Sequence, residues 1–144
     1  MKEIRTSVDI DAPAERVWSI LLDTGRWHEW NPFASGVDGE MQVGQKLVVH
    51  LTSGLGGRAM SIRPHVTVVE PGRELRWVGG LLHPTVMRGE HYFRLEPLAH
   101  GPCRFAHGEV FSGVLVALFS PLILRGEPGY QAMSEALKAR AESA

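Results

Sequence analysis

Alternating apolar and polar positions run through most of the chain and predict β-strands. Residues 3–10 alternate in this way, with Ile4 and Ile10 on the same parity, as expected for a strand with one buried face. The same period returns between Pro32 and Ser112, interrupted at Pro71-Gly72 and Gly101-Pro102, which are turn sequences. We therefore expect about six strands in this stretch and about seven in the whole chain.

Two short helices are predicted directly after the first strand. Apolar residues recur at helical spacing from Pro13 to Leu22, and proline suits the first turn of a helix. Residues Arg26–Trp30 can form one more turn. Asn31-Pro32 ends that turn, because a residue before proline is pushed out of the helical region.

A long amphipathic helix is predicted at the C-terminus. Tyr130, Met133 and Leu137 recur at i, i+3 and i+7, which places them on one helix face. The preceding apolar piece begins near Val114, and the glycines and proline of residues 125–129 predict a kink or break between the two pieces.

Two glycine-rich stretches are predicted to connect strands. Residues 53–57 read as a turn, and Gly79-Gly80 as the start of another connection. The element order is then strand, two short helices, about six strands and a long helix. A bent antiparallel sheet must bury its apolar face against that helix, which predicts an α+β domain with space for a ligand between the two layers.

Size and charge exclude several classes of protein. The chain has 144 residues, 15 basic and 16 acidic, with a formal net charge of −1. This length fits one domain over residues 1–144, and the mixed charge predicts no nucleic-acid partner. The longest apolar stretch, residues 114–124, is too short to span a bilayer.

Other features bear on location and on cofactors. The start of the chain lacks the apolar core of a signal peptide, and the single cysteine, Cys103, cannot form an internal disulfide. We therefore expect a cytoplasmic protein, either a monomer or a homodimer. No nucleotide-binding loop, nucleophile elbow or metal-ligand spacing occurs in the sequence, so we expect neither a metal nor another cofactor.

Polar residues on an apolar strand face are the most informative feature of the sequence. The connection between the last two strands lies around Pro97–Pro102, and a simple antiparallel register about it pairs the residues on either side. The resulting pairs are Leu95–Phe105, Phe93–His107 and His91–Glu109. The sequence thus predicts a cluster of His91, His107 and Glu109 among aromatic and aliphatic side chains.

This cluster has two interpretations. A partly desolvated carboxylate beside an imidazole can hold its proton near neutral pH, so His107 and Glu109 are candidates for an acid/base pair. Alternatively, the opposed imidazole and carboxylate satisfy one another and order the sheet, since a buried charge is costly without a partner.

Four tryptophans are the second unusual feature. Trp18 is expected in the core, and Trp77 is expected to point inward from the middle of the sheet. Trp27 and Trp30 lie on the turn that is expected to close one end of a pocket. Aromatic walls suit planar or isoprenoid ligands, although each ring can equally fill core volume.

Motifs along nearly the whole chain resemble one family in the expected order. The segments are IDAPAERVW (10–18), WHEWNPF (27–33), PGRELRW (71–77), HYFRLE (91–96) and RFAHGEVFSG (104–113). They resemble the SRPBCC superfamily, which contains the START, polyketide cyclase and Bet v 1-like proteins, and most of all its bacterial polyketide cyclase/dehydrase-like branch. The resemblance implies the helix-grip fold, a curved antiparallel sheet wrapped around a long C-terminal helix.

The resemblance and the residues together predict a pocket for an apolar small molecule such as a lipid, a polyketide or an aromatic compound. The alternative is a cofactor-free cyclase or dehydratase acting on a polyketide-like substrate, with His107 or Glu109 as acid/base. The expected ligand-binding residues are Trp27, Trp30, Trp77, Met87, His91, Phe93, His107, Glu109 and Phe111.

Overall fold

The computed structural model describes residues 1–52, 54, 58–81, 83 and 85–143. It contains eight strands, three α-helices and one 3-10 helix. The strands are β1 (Lys2–Ile10), β2 (Ala34–Asp38), β3 (Val48–Leu51), β4 (Met60–Ile62), β5 (His65–Glu70), β6 (Glu74–Leu81), β7 (Met87–Pro97) and β8 (Cys103–Ser112). The α-helices are α1 (Ala14–Leu22), α2 (Val116–Arg125) and α3 (Glu127–Glu142), and the 3-10 helix is Thr24–Glu29.

The strands form two antiparallel sheets. The larger has the order β1-β8-β7-β6-β5, and the smaller has the order β2-β3-β4. The expected fold class and the approximate strand count of about seven are confirmed, but the eight strands of the described residues divide between two sheets instead of forming one. The division falls at Pro64, which has no N–H to continue a ladder; its carbonyl instead accepts a hydrogen bond from the Leu47 amide at 2.8 Å. One bridge, between Lys46 and His65, links the two sheets there.

The helices follow the predicted order with shifted ends. Helix α1 begins at Ala14, one residue after the expected Pro13, which occupies its N-cap with an extended backbone. The second helical turn is the 3-10 helix Thr24–Glu29 rather than Arg26–Trp30. The expected break in the C-terminal helix is confirmed, since α2 ends at Arg125 and α3 begins at Glu127.

Helix α3 covers the large sheet. Its buried face repeats at helical spacing and packs against β1 and β8. The buried residues of this face are Tyr130, Met133, Ser134, Leu137 and Ala141. The predicted amphipathic pattern of this helix is therefore confirmed.

The two glycine-rich stretches do not both form the connections predicted for them. Gly79-Gly80 does not begin a connection, because both residues lie within β6 and pair with β7. Of the predicted turn over residues 53–57, all but Gly54 lie outside the described residues. Among the residues described, no helix combines the length and apolar character needed to cross a membrane.

Gly108 allows β8 to lie close to its neighbours. It pairs with Arg5 of β1 and Tyr92 of β7, and a Cβ added there would overlap the Ile4 carbonyl oxygen and lie 2.7 Å from the Tyr92 hydroxyl. We expect Gly108→Ala to lower the free energy of unfolding by about 2 kcal/mol, the usual scale of overpacking. Urea denaturation measures this change.

Gly25→Ala is the matched control. A Cβ at Gly25 would meet no atom within 4 Å, so the free energy of unfolding should stay within about 0.5 kcal/mol of the wild type. Equal effects of the two substitutions would contradict the close approach at Gly108.

Candidate functional site

Three rows of paired residues follow one another across the inner face of β6, β7 and β8. The pairing confirms the predicted register of His91 with Glu109 and Phe93 with His107. The packed row is Leu75, Phe93 and His107; the polar row is Trp77, His91 and Glu109; the open row is Gly79, Gly89 and Phe111.

A cavity of about 380 Å³ lies over the open row. It forms there because two of the three positions in that row carry no side chain. The packed row fills the space beneath it, with Leu75 fully buried. The remaining walls come from β3, β4, the Phe33 ring, α2 and the start of α3; they are lined by Leu51, Met60, Ile62, Leu122, Ile123 and Tyr130.

Four polar side chains, which we call the polar network, meet at the inner end of the cavity. They are His91, His107, Glu109 and Tyr130. The Nδ1 atom of His91 lies 3.0 Å from Oε1 of Glu109, and the Tyr130 hydroxyl donates to the same oxygen at 2.7 Å. The Nε2 atoms of the two histidines are 2.7 Å apart, and Nδ1 of His107 lies 3.3 Å from the Tyr130 carbonyl oxygen.

A second layer of hydroxyls fixes α3 over this network. Thr6 of β1 donates to the His107 carbonyl at 2.8 Å and lies 3.0 Å from the Ser134 hydroxyl. Ser134 in turn lies 3.1 Å from the Tyr130 carbonyl oxygen and donates to it. Because these groups are buried, the helix cannot slide along the sheet without leaving one of them unpaired.

Burial sets the charge state of two members of the network. Complete burial, together with the positive charge that His91 can carry, holds the pKa of His107 well below its ordinary value, so this imidazole is neutral. Burial and the adjacent Glu109 carboxylate raise the pKa of the Tyr130 phenol well above its ordinary value. Tyr130 therefore keeps its proton and remains a donor.

The partners of His107 also determine the direction of the hydrogen bonds. A neutral imidazole has one N–H, and the Tyr130 carbonyl can only accept, so the proton of His107 lies on Nδ1. Its Nε2 then accepts from Nε2–H of His91. Nδ1 of His91, on the other side of that ring, lies against Oε1 of Glu109.

The expected ligand-binding residues fall into three groups in the structure. The cavity wall contains Trp77, Met87, His91, Glu109 and Phe111. Phe93 and His107 are buried one row deeper and do not line the cavity. His107 therefore reaches a ligand only through His91.

Trp27 and Trp30 do not line the cavity either, and the expectation that they close one end of it was wrong. Trp27 is buried in the core, with its ring centroid 6.4 Å from that of Phe93, and its Nε1 donates to the Leu21 carbonyl at 3.1 Å. Trp30 packs against Trp27. Trp27 therefore lies on the side of the packed row, whereas the cavity lies over the open row with its two glycines.

Two of the residues that the sequence did not predict belong to the polar network or cover it. Tyr130 was recognised as part of a buried helix face, but nothing in the spacing indicated that its hydroxyl reaches Glu109. Phe33 covers the network, with ring centroids 4.9 Å from Tyr130 and 5.5 Å from His91. Its position depends on Asn31, whose Oδ1 accepts from the Phe33 amide at 2.8 Å.

The histidines and carboxylates of the site are not arranged as metal ligands. No group of three or more His, Cys, Asp or Glu side chains is arranged to hold a metal ion in the described parts of the chain. Cys103 is buried at the far end of β8, where burial raises the pKa of its thiol.

The neutral buried His107 makes stability depend on pH. Its pKa is lowered in the folded protein, whereas the unfolded chain takes up a proton as the pH falls below about 6.5. Stability is therefore complete above that pH and is lost below it, by about 1.4 kcal/mol per pH unit for one proton. His107→Phe should remove this loss, as measured by urea denaturation at pH 7.5 and pH 5.5.

His28→Gln, at an exposed position in the 3-10 helix, controls for the removal of one histidine. The proposed charge state of His107 is wrong if wild type and His107→Phe lose the same free energy of unfolding between the two pH values.

Comparison with known proteins adds the family and the fold. The family model for "Polyketide cyclase / dehydrase and lipid transport" matches residues 1–142. The comparison with curated proteins found no match.

Several solved structures share the architecture at low sequence identity. The Zhui aromatase/cyclase from Streptomyces sp. R1128 is 17% identical with a TM-score of 0.77, over 98% of this chain and 93% of that one. A START superfamily protein from Mycobacterium smegmatis is 18% identical with a TM-score of 0.70, over 97% of each chain. Hypothetical protein jhp0584 from Helicobacter pylori is 18% identical with a TM-score of 0.76, over 98% of this chain and 88% of that one. The chain therefore belongs to the polyketide cyclase/dehydrase and lipid transport family of the SRPBCC superfamily, and it has that family's START-like ligand-binding fold.

Proposed function

We propose that this protein binds an apolar small molecule with at least one ring in the cavity over the open row. The observation that carries the proposal is the pair Gly79 and Gly89, which leave the sheet bare beside the polar row. The space of about 380 Å³ falls within the usual range for small-molecule sites. A ligand there would rest on the sheet and be covered by α2.

The chemistry of the walls supports a flat ligand with one polar end. The rings of Trp77, Phe33 and Phe111 face the cavity, and the aliphatic side chains of β3, β4 and α2 cover the rest. Polar groups concentrate at the inner end, where Glu109 and Tyr130 lie. Such a pocket buries an apolar body and orients it through one polar substituent.

A second candidate function is cofactor-free acid/base chemistry, and it is favoured by the contact of His91 with Glu109 at 3.0 Å. Glu109 lines the cavity with 18% of its side chain exposed, so its carboxylate can reach a ligand. A carboxylate there could take a proton from the carbon next to a ketone. The Zhui protein is named an aromatase/cyclase, which is compatible with this reading.

Filling the open row tests the binding proposal. A Cβ at Gly79 would make ordinary contacts with Pro64 at 3.5 Å, so Gly79→Leu should fold and place its side chain in the cavity. The neutral fluorescent probe 1-aminoanthracene should bind the wild type with micromolar affinity and lose at least about tenfold in affinity in this variant. Fluorescence titration measures both constants.

Gly25→Leu, at a position where a Cβ meets no atom within 4 Å, is the matched control and should bind the probe like the wild type. Binding that survives in Gly79→Leu, or that is absent from the wild type, would count against the cavity as the ligand site.

Proton transfer can be tested without knowing the natural substrate. If Glu109 acts as a base, the protein should accelerate exchange of the α-protons of 2-tetralone for deuterium in D₂O, followed by proton NMR. Glu109→Gln should reduce the accelerated rate by about 10²-fold or more, the usual scale for loss of a general base. An exchange rate equal in wild type and Glu109→Gln would remove Glu109 from any such mechanism and leave binding as the function.

A further inference from the structure

The two carboxylate oxygens of Glu109 have different surroundings. Oε1 accepts a hydrogen bond from the Tyr130 hydroxyl and also contacts Nδ1 of His91. Oε2 makes no hydrogen bond with the residues that the structure describes. Oε2 lies over Gly89, where an added Cβ would overlap it. Because Gly89 and Glu109 both line the cavity, Oε2 is the oxygen that a ligand would meet.

All the donors of the polar network are already used within it. His107 donates through Nδ1 to the Tyr130 carbonyl, and His91 donates through Nε2 to His107. The single O–H of Tyr130 goes to Oε1 of Glu109, and Nδ1 of His91 meets the same oxygen. If His107 donated to His91 instead, its Nδ1 would carry no proton, and this nitrogen and the Tyr130 carbonyl oxygen would be two acceptors facing each other.

What remains for a ligand at this end is therefore acceptor capacity. Both hydrogen bonds to Glu109 go to Oε1, so Oε2 can accept from a ligand, and the Tyr130 oxygen retains a free lone pair. The indole Nε1 of Trp77 is itself buried and has no partner within the described residues, so it adds no donor to the cavity surface. Ser61 and Arg63 also line the cavity, but both are exposed at its rim.

We infer that the ligand carries a hydrogen-bond donor on its ring system, in the first place a phenolic or other hydroxyl group, and that this group donates to Oε2 of Glu109. This inference rests on the proposed binding function and names the class of ligand. An ether or ketone oxygen placed at the same point would face another acceptor, and both groups would be buried unpaired. Such a mismatch is costly because each group has given up its water.

Three naphthalenes of similar size separate this inference from simple apolar binding. The probes are 2-naphthol, 2-methoxynaphthalene and 2-methylnaphthalene, each measured by displacement of 1-aminoanthracene from the wild-type protein. A hydrogen bond to a carboxylate is worth enough to make 2-naphthol bind at least about tenfold more tightly than its methyl ether. 2-Methylnaphthalene shows how much affinity comes from the apolar body alone.

Glu109→Leu removes the acceptor and keeps an apolar side chain at that position. The preference for 2-naphthol over 2-methoxynaphthalene should then fall to about twofold or less. Glu96→Leu, at an exposed position near the end of β7, is the matched control and should retain the wild-type preference. The wild-type comparison decides the inference even if Glu109→Leu does not fold.

The outcomes distinguish the two proposals. If all three naphthalenes and 1-aminoanthracene fail to bind the wild type, the binding function falls, and this inference falls with it. If the three bind with equal affinity, or if Glu109→Leu keeps the tenfold preference, binding stands and the donor requirement is overturned.

Discussion

Two histidines buried side by side on an apolar sheet face need hydrogen-bond partners inside the protein, and this need determines how α3 meets the sheet. His107 finds its partner in the Tyr130 carbonyl, and His91 finds one in Glu109. Tyr130 supplies both a carbonyl for one end of the network and a hydroxyl for the other. A helix displaced by one turn would leave buried polar atoms unpaired at both ends, each at a cost of about 1–3 kcal/mol.

The same constraint explains why the break between α2 and α3 matters to the site. The first turn of α3 brings the buried Tyr130 to Glu109, while α2 covers the cavity through Leu122 and Ile123. The two helices thus have different tasks: α3 packs on the sheet, and α2 covers the cavity. The break lies at Gly126, which itself lines the cavity between the two helices' contributions to its wall.

The sequence predicted the parts of the site that depend on strand period. Once the β7–β8 connection is located, a period of two residues decides that His91 faces Glu109. The alternation could not reveal the cavity, because glycines within a strand look like a connection; Gly79-Gly80 was misread for this reason. The role of Tyr130 could not be predicted either. Helical spacing assigns a residue to one face of the helix, but it does not identify the strand residue that its side chain contacts.

The position of the cavity could not be predicted from the sequence for a related reason. Trp27 and Trp30 are as aromatic as Trp77, and composition alone cannot tell a cavity wall from core filling. The difference lies in the neighbours: Trp27 packs on Phe93 of the packed row, whereas Trp77 is followed two residues later by a glycine. Knowing which row of a sheet is bare requires the register of three strands together.

The arrangement of Glu109 bears on whether the polar network only orders the sheet. A carboxylate that only ordered the sheet would be expected to meet internal donors with both of its oxygens. Here two donors share Oε1, and Oε2 is left over a glycine on the cavity side. Filling position 89 with any side chain would displace that oxygen from the space. An arrangement that leaves one oxygen without an internal partner and opens the sheet beside it favours a role toward a ligand over a purely structural one.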